Sequence, residues 1–151
     1  KTGAGELLFE TVVGNAVPPN VSTFGKVTLD CGGACGLLVR TNGGIDDLSG
    51  DFHDSAYVDA IFEQPLTNLR LNAPEQDAPM TVHLPSIDAL YMEAGSQDLK
   101  LTMGIGTYDF ILNSEFGTLI TDPICQDTNG ASRVIQMENK DGNVTLEEGV
   151  F

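Results

Sequence analysis

Five segments of this chain alternate apolar and polar residues with a period of two, and this pattern restricts the fold more than any other feature. Successive side chains of a β-strand point to opposite sides of the sheet, so the alternation predicts half-buried strands. No stretch keeps a helical period, and no internal repeat is visible. The chain is therefore expected to be all-β. The five segments are Lys26–Asp30, Asn68–Asn72, Met80–Leu84, Asp98–Met103 and Asn143–Glu147.

The number of strand-like segments predicts the type of β-fold. Roughly nine to eleven short strands separated by turns are typical of sandwiches and barrels. The 17 glycines and 7 prolines among the 151 residues suit a chain with many turns. We therefore expect one domain, an antiparallel β-sandwich of the immunoglobulin-like or jelly-roll-like kind, over residues 16–151. Residues 1–15 are expected to form an N-terminal strand.

Two stretches carry local predictions of their own. Residues 41–55 are rich in turn-forming and acidic residues, and are expected to form a long loop. Arg133–Glu138 and Asn143–Glu147 flank an Asp-Gly pair, which suits a tight turn. These two segments are therefore expected to form an antiparallel hairpin.

The charge balance excludes some partners. The chain has 22 acidic and 7 basic residues and a net charge of −15. Phosphate backbones and anionic lipids are bound through Lys and Arg, so neither nucleic acid nor a membrane surface is an expected partner. No apolar run approaches the roughly 20 residues of a membrane span. We expect no membrane insertion.

Catalytic motifs are missing from the sequence. The two histidines, His53 and His83, lie in no recognised nucleophile or metalloprotease pattern, and no glycine loop suited to phosphate is present. The absence of Trp argues against a sugar-cleaving cleft. A non-enzymatic protein is predicted. A hydrolase built around His53 with Asp51 and Asp54 is the minority alternative.

Four carboxylates lie within nine residues of the expected loop: Asp46, Asp47, Asp51 and Asp54. Their mutual repulsion would be relieved by a bound Ca²⁺. The competing interpretation, a solvated acidic loop, ranks ahead of it. Apart from this calcium, no cofactor is expected.

The three cysteines give information about the cellular compartment in which the protein is found. The three residues between Cys31 and Cys35 can close a small disulfide loop, which would favour an oxidising environment. Pairing of Cys125 with one of the two, three reduced thiols, and a zinc site are the alternatives, with zinc ranked last. Because the chain starts at Lys1, removal of a signal peptide is the simplest interpretation. We expect an extracellular or cell-surface protein.

The N-terminal strand is a candidate assembly arm. Pro18-Pro19 separates it from the rest of the chain, and a strand donated to a neighbour's open sheet would gain main-chain hydrogen bonds. An ordinary edge strand within its own domain is the equally ranked alternative. The residues assigned to the arm are Leu7, Phe9, Thr11 and Val13.

Three segments carry a resemblance to a known family. Leu7–Val13, Gly25–Leu29 and Met80–Pro85 resemble bacterial exported β-sandwich domains of the pilin-subunit kind. The likeness covers less than half of the chain, which lacks a clear closing strand after Asp141–Glu148. It implies a subunit of an extracellular filament or surface assembly, a homo-polymer joined by strand donation without a cofactor. The alternative function is a monomeric secreted adhesion or binding module, with or without a stabilising calcium ion.

Overall fold

The computed structural model describes residues 5–11, 24–32, 35–41, 45–53, 57–73, 79–122, 126–127 and 130–151. Within these residues it contains fourteen strands and no helix, as the alternation predicted. The strands are β1 (Gly5–Thr11), β2 (Phe24–Gly32), β3 (Cys35–Thr41), β4 (Ile45–His53), β5 (Tyr57–Phe62), β6 (Leu66–Ala73), β7 (Met80–Leu84), β8 (Ile87–Ala94), β9 (Leu99–Met103), β10 (Thr107–Ser114), β11 (Leu119–Thr121), β12 (Gln126–Asp127), β13 (Val134–Asn139) and β14 (Val144–Glu148).

The described strands form a parallel β-solenoid with two seven-stranded sheets, so the predicted antiparallel sandwich is wrong. Sheet I has the order β1-β3-β5-β7-β9-β14-β11, and sheet II has the order β12-β10-β13-β8-β6-β4-β2. Through most of the chain, successive strands lie in opposite sheets, and each pairs with a strand one coil away. Every strand pair in the described residues is parallel.

The coils of the solenoid show a repeat that the sequence does not reveal by residue identity. Asp47 pairs with Asn68, and Asn68 pairs with Ala89, so these coils are 21 residues apart. Asp, Asn and Ala have little in common except that they all face outward. The repeat therefore preserves the direction of each side chain rather than its chemistry.

The hydrophobic core lies between the two sheets and is built from columns of stacked side chains. Each inward-facing residue sits against its counterpart in the next coil, about one strand spacing away. The members of two such columns are at most 3% exposed. They are Leu48, Leu69, Leu90 and Ile135 in sheet II, and Val58, Met80, Leu99 and Val144 in sheet I.

The last coils do not stack in chain order. Val134 of β13 pairs with Ala89 of β8 on one side and with Asp109 of β10 on the other. Strand β14 lies in the same way between β9 and β11. The chain therefore skips one level after β9, builds the outer coil β10–β11, and then returns to fill the gap with β13–β14.

Two local predictions are corrected by this arrangement. The expected hairpin is wrong because β13 and β14 lie in different sheets, and the Asp141-Gly142 turn is a corner of the solenoid. The expected loop over 41–55 is wrong because Ile45–His53 forms strand β4, paired on both sides. The predicted strand Met80–Leu84 is confirmed residue for residue, and the predicted strand Asp98–Met103 is confirmed except for its first residue.

Candidate functional site

The predicted assembly arm forms β1, the edge strand of sheet I. It pairs in parallel with β3, placing Leu7 beside Leu37, Phe9 beside Val39, and Thr11 beside Thr41. Phe9 is partly buried against the core. Val13 lies outside the described residues. The arm therefore contributes an outer strand to its own solenoid.

The acidic residues proposed as calcium ligands are spread along β4. Asp47 and Asp51 are four residues apart on its outer face, which corresponds to about 13 Å along a strand. Asp47 accepts a hydrogen bond from Asn68 Nδ2 at 2.6 Å, and Asp51 accepts one from Asn72 Nδ2 at 3.3 Å. Asp46 is exposed, and Asp54 lies outside the described residues. Among the residues that are described, no three His, Cys, Asp or Glu side chains form a group that could hold a metal ion.

Most of the cysteine and histidine side chains lie outside the described part of the molecule. Cys31 belongs to β2 and Cys35 begins β3, but both side chains, and the whole of Cys125, lie outside the described part of the molecule. His53 is in β4, and its side chain is likewise not described. The His83 ring, on the outer face of β7, packs against the Phe151 ring with 4.4 Å between centroids.

One end of the solenoid, which we name the β1 end, consists of β1 and β2. Strand β2 shares a coil with β3, and β1 lies one level beyond β3 in sheet I. Sheet I therefore ends in β1 and sheet II ends in β2, the next strand along the chain. On the outer face of β1, Leu8 is 56% exposed.

The opposite end, which we name the β12 end, consists of β10, β11 and β12. Here β10 and β11 share a coil, and β12 lies one level beyond β10 in sheet II. Sheet I therefore ends in β11 and sheet II ends in β12, the next strand along the chain. The coil also exposes Phe116 by 69%, Leu119 by 47% and Ile120 by 50%.

The two ends expose the outermost strands of the same two sheets. A second copy placed at the β12 end would set its β1 beside β11 and its β2 beyond β12, and would continue both sheets. The register carries Leu8 and Ile120 in one outer column of sheet I, which runs through Leu38, Asp59, Thr81, Lys100 and Thr145. In-register stacking would therefore bring Leu8 of one copy against Ile120 of the next.

A shallow groove lies on the outer face of sheet II. It is lined by side chains from β2, β4, β6, β8 and β13. The Arg70 guanidinium lies 4.6 Å from the centre of the Tyr91 ring. The Tyr91 hydroxyl donates a hydrogen bond of 2.5 Å to Glu93. Burial and this hydrogen bond raise the pKa of Tyr91 to about 12.

Comparison with protein-family models, with curated proteins and with solved structures finds no match to this chain. Within the described residues, no helix is long and apolar enough to cross a membrane.

Sequence reasoning named the β1 strand but missed the β12 end and the groove. A signal for the β12 end was present, because Ile120 occupies an outward position where Lys100 and Thr145 lie in neighbouring coils. Finding it requires knowledge of which strands share a column. The groove combines residues from five strands and leaves no local pattern.

Proposed function

We propose that this chain is a non-enzymatic structural subunit that stacks head to tail into an extracellular filament or surface assembly. The observation that carries the proposal is that, among the described strands, both sheets end in a strand with one unpaired edge at the β1 end and at the β12 end. Stacking sets the first strand of each sheet in one copy beside the last strand of the same sheet in the next.

Unpaired strand edges provide the driving force. Among the described strands, β1 pairs only with β3, and β11 pairs only with β14. Pairing β11 with the next copy's β1 would satisfy main-chain groups of both strands, as in peptides that add a strand to a sheet. The stack would also cover the exposed Leu8 and Ile120 side chains.

The contact is heterologous, because it joins two different surfaces of the same chain. Heterologous contacts that do not close into a ring produce open filaments. A solenoid end continues the direction of the solenoid axis, so repeated stacking extends along that axis. This geometry favours a filament over a closed oligomer.

Edge-to-edge pairing replaces arm exchange in this proposal. Strand β1 is already paired with β3 of its own chain over Gly5–Thr11, so it contributes its free edge without leaving its subunit. The extracellular location is proposed on the Cys31–Cys35 spacing, which suits a small disulfide loop.

The proposal is tested by matched charge substitutions at the two ends. Leu8→Lys and Ile120→Glu each place a charge opposite an apolar partner, so each variant alone is expected to remain monomeric. In an equimolar mixture, the introduced lysine of one variant meets the introduced glutamate of the other at one junction, and the native Leu8 meets the native Ile120 at the next. Static light scattering should therefore detect polymer in the wild type and in the mixture.

Val150, which is 96% exposed and follows the last strand of the chain, provides the control. Val150→Lys and Val150→Glu introduce the same charges outside the proposed contact, and should polymerise like the wild type. A wild type that stays monomeric at every concentration would refute the proposal. So would polymers of both single variants equal to those of the wild type.

A further inference from the structure

The groove on the outer face of sheet II has the size and lining of a small-molecule site. Its volume is about 500 Å³, within the range of ligand pockets in proteins. The floor is apolar, and the rim carries polar and charged side chains. The residues assigned above to the head-to-tail contact, Leu8 and Ile120, lie on sheet I and take no part in it.

The groove exists because one outward column contains a small residue. Asn68, Ala89 and Val134 are neighbours in this column. The methyl group of Ala89 leaves a depression, and the inward residues Leu69 and Leu90 contribute to the lining. In the adjacent column, Arg70 and Tyr91 form a wall.

Two of the seven basic residues line this groove, although the chain carries a net charge of −15. Among the described residues, neither Lys26 nor Arg70 forms an ion pair, whereas Arg40, Lys100 and Arg133 each have a carboxylate partner. The Tyr91 ring holds the Arg70 guanidinium in position by a cation–π contact. The lining thus carries two cations, Lys26 and Arg70, that no described carboxylate pairs with, together with one carboxylate, Asp47.

Two side-chain amides, each hydrogen-bonded to a carboxylate, lie in the same groove. Asn68 donates Nδ2 to Asp47, and Gln136 donates Nε2 to Glu138, each at 2.6 Å. Each amide keeps its carbonyl oxygen as an acceptor, and Asp47 keeps further acceptor capacity. These acceptors suit ligand hydroxyl groups, while the guanidinium suits a carboxylate.

We infer that the groove binds a carboxylated sugar, such as a uronic acid unit. Arg70 binds the carboxylate in the two-pronged geometry that guanidinium groups favour. Asn68, Gln136 and Asp47 accept hydrogen bonds from the sugar hydroxyls. The apolar floor around Ala89 receives the C–H face of the ring. The filament proposed above would then carry one sugar site per subunit on its side.

The inference is tested by isothermal titration calorimetry with digalacturonate, its neutral counterpart digalactose, and acetate. The titrations use the Leu8→Lys variant, so that assembly and sugar binding are measured separately. Digalacturonate is expected to bind, and digalactose and acetate to bind at least about tenfold more weakly, because each lacks one half of the recognised chemistry. Equal binding of digalactose or acetate, or no binding of digalacturonate, would overturn the inference.

Three substitutions locate the site. Arg70→Gln should weaken digalacturonate binding by about tenfold or more, the usual loss for a hydrogen bond to a charged group. Ala89→Leu should abolish binding by filling the depression, with unfolding unchanged because Ala89 is exposed. Lys100→Gln removes the same charge from sheet I, where Lys100 pairs with Glu147 at 2.8 Å, and should leave binding unchanged. If the Arg70→Gln and Lys100→Gln variants bound digalacturonate with equal affinity, Arg70 would not be the residue that binds the carboxylate.

Discussion

Asn139 joins two coils of the solenoid, and its replacement tests how the last coils are stacked. The residue is 4% exposed at the corner between β13 and β14. Its Nδ2 donates to the carbonyl oxygen of Gln97 at 2.7 Å, and its Oδ1 accepts from the amide of Gly142 at 3.1 Å. Gln97 belongs to the corner between β8 and β9. The Asn139 side chain therefore bridges neighbouring coils that are 42 residues apart in sequence.

Removing this side chain should destabilise the fold substantially. Asn139→Ala leaves the buried Gly142 N–H without a partner, at a cost of about 1–3 kcal/mol, and loses the bond to Gln97, worth about 1 kcal/mol. We expect a loss of about 3 kcal/mol in the free energy of unfolding. Asn139→Asp keeps the acceptor for Gly142 but sets an oxygen against the Gln97 carbonyl, so a loss of similar size is expected.

The measurement is urea unfolding followed by far-ultraviolet circular dichroism, in the Leu8→Lys background so that assembly does not add to stability. Asn113→Ala is the matched control, because Asn113 is exposed on β10. It should change the unfolding free energy by less than about 0.5 kcal/mol. If Asn139→Ala were as mild as Asn113→Ala, the stacking of β13–β14 on β8–β9 would be refuted.

Three further results are expected. A Cβ added at Gly50 would overlap Phe52 Cζ, so Gly50→Ala should lower the unfolding free energy by about 1–3 kcal/mol. Adding Phe52→Leu should recover part of that loss. Urea unfolding curves that show no recovery would contradict this packing. The raised pKa of Tyr91, about 12 against an ordinary 10, stabilises the fold below pH 10, and this contribution should disappear as the pH rises towards 12. Ultraviolet titration of tyrosinate should show the ionisation of Tyr91 as a late step that is missing from the Tyr91→Phe variant. Ionisation of Tyr91 at the ordinary pKa of tyrosine would be evidence against the raised pKa. Finally, the mass of the polymer should rise with salt concentration, because the acidic copies repel one another and salt screens that repulsion. The screening length falls from about 30 Å at 0.01 M to about 8 Å at 0.15 M. Light scattering that decreases as salt is added would contradict the expected assembly.

The alternation of apolar and polar residues predicted strands correctly but favoured the wrong kind of sheet. Parallel sheets are usually buried on both faces and read as continuous apolar runs, whereas sheets with one solvated face are usually antiparallel. Strand Met80–Leu84 alternates because a solenoid exposes the outer face of each parallel sheet. The same pattern therefore serves both folds, and only the pairing distinguishes them.

Tertiary stacking also decided elements that local preferences could not. Strand β4 contains Asp46, Asp47, Ser49 and Gly50, which favour loops, yet it is paired on both sides over most of its length. Asp141-Gly142 turns the chain tightly, as expected, but into the opposite sheet. A turn motif specifies a change of direction and not which strand becomes the neighbour.

The candidate assembly surface includes the strand that the sequence suggested as an arm, but its contact residue Leu8 was not among the residues assigned to that arm. Leu7 and Phe9 marked the first strand as a possible contact, and the structure places that strand at an edge. The matching Ile120 could not be paired with it from sequence. The two residues share a column only because β11 forms the outermost level of sheet I after the chain has skipped one.

The axial repeat of the polymer, measured by electron imaging of the wild type, tests head-to-tail stacking most directly. Each sheet contributes seven of the described strands per subunit, so in-register stacking at about 4.8 Å per strand gives a subunit repeat of about 34 Å. A repeat of that length together with a strand spacing of about 4.8 Å along the filament axis is the expected result. A doubled repeat would indicate alternating orientations, and strands running along the axis would indicate side-by-side packing; either one would contradict the proposed assembly.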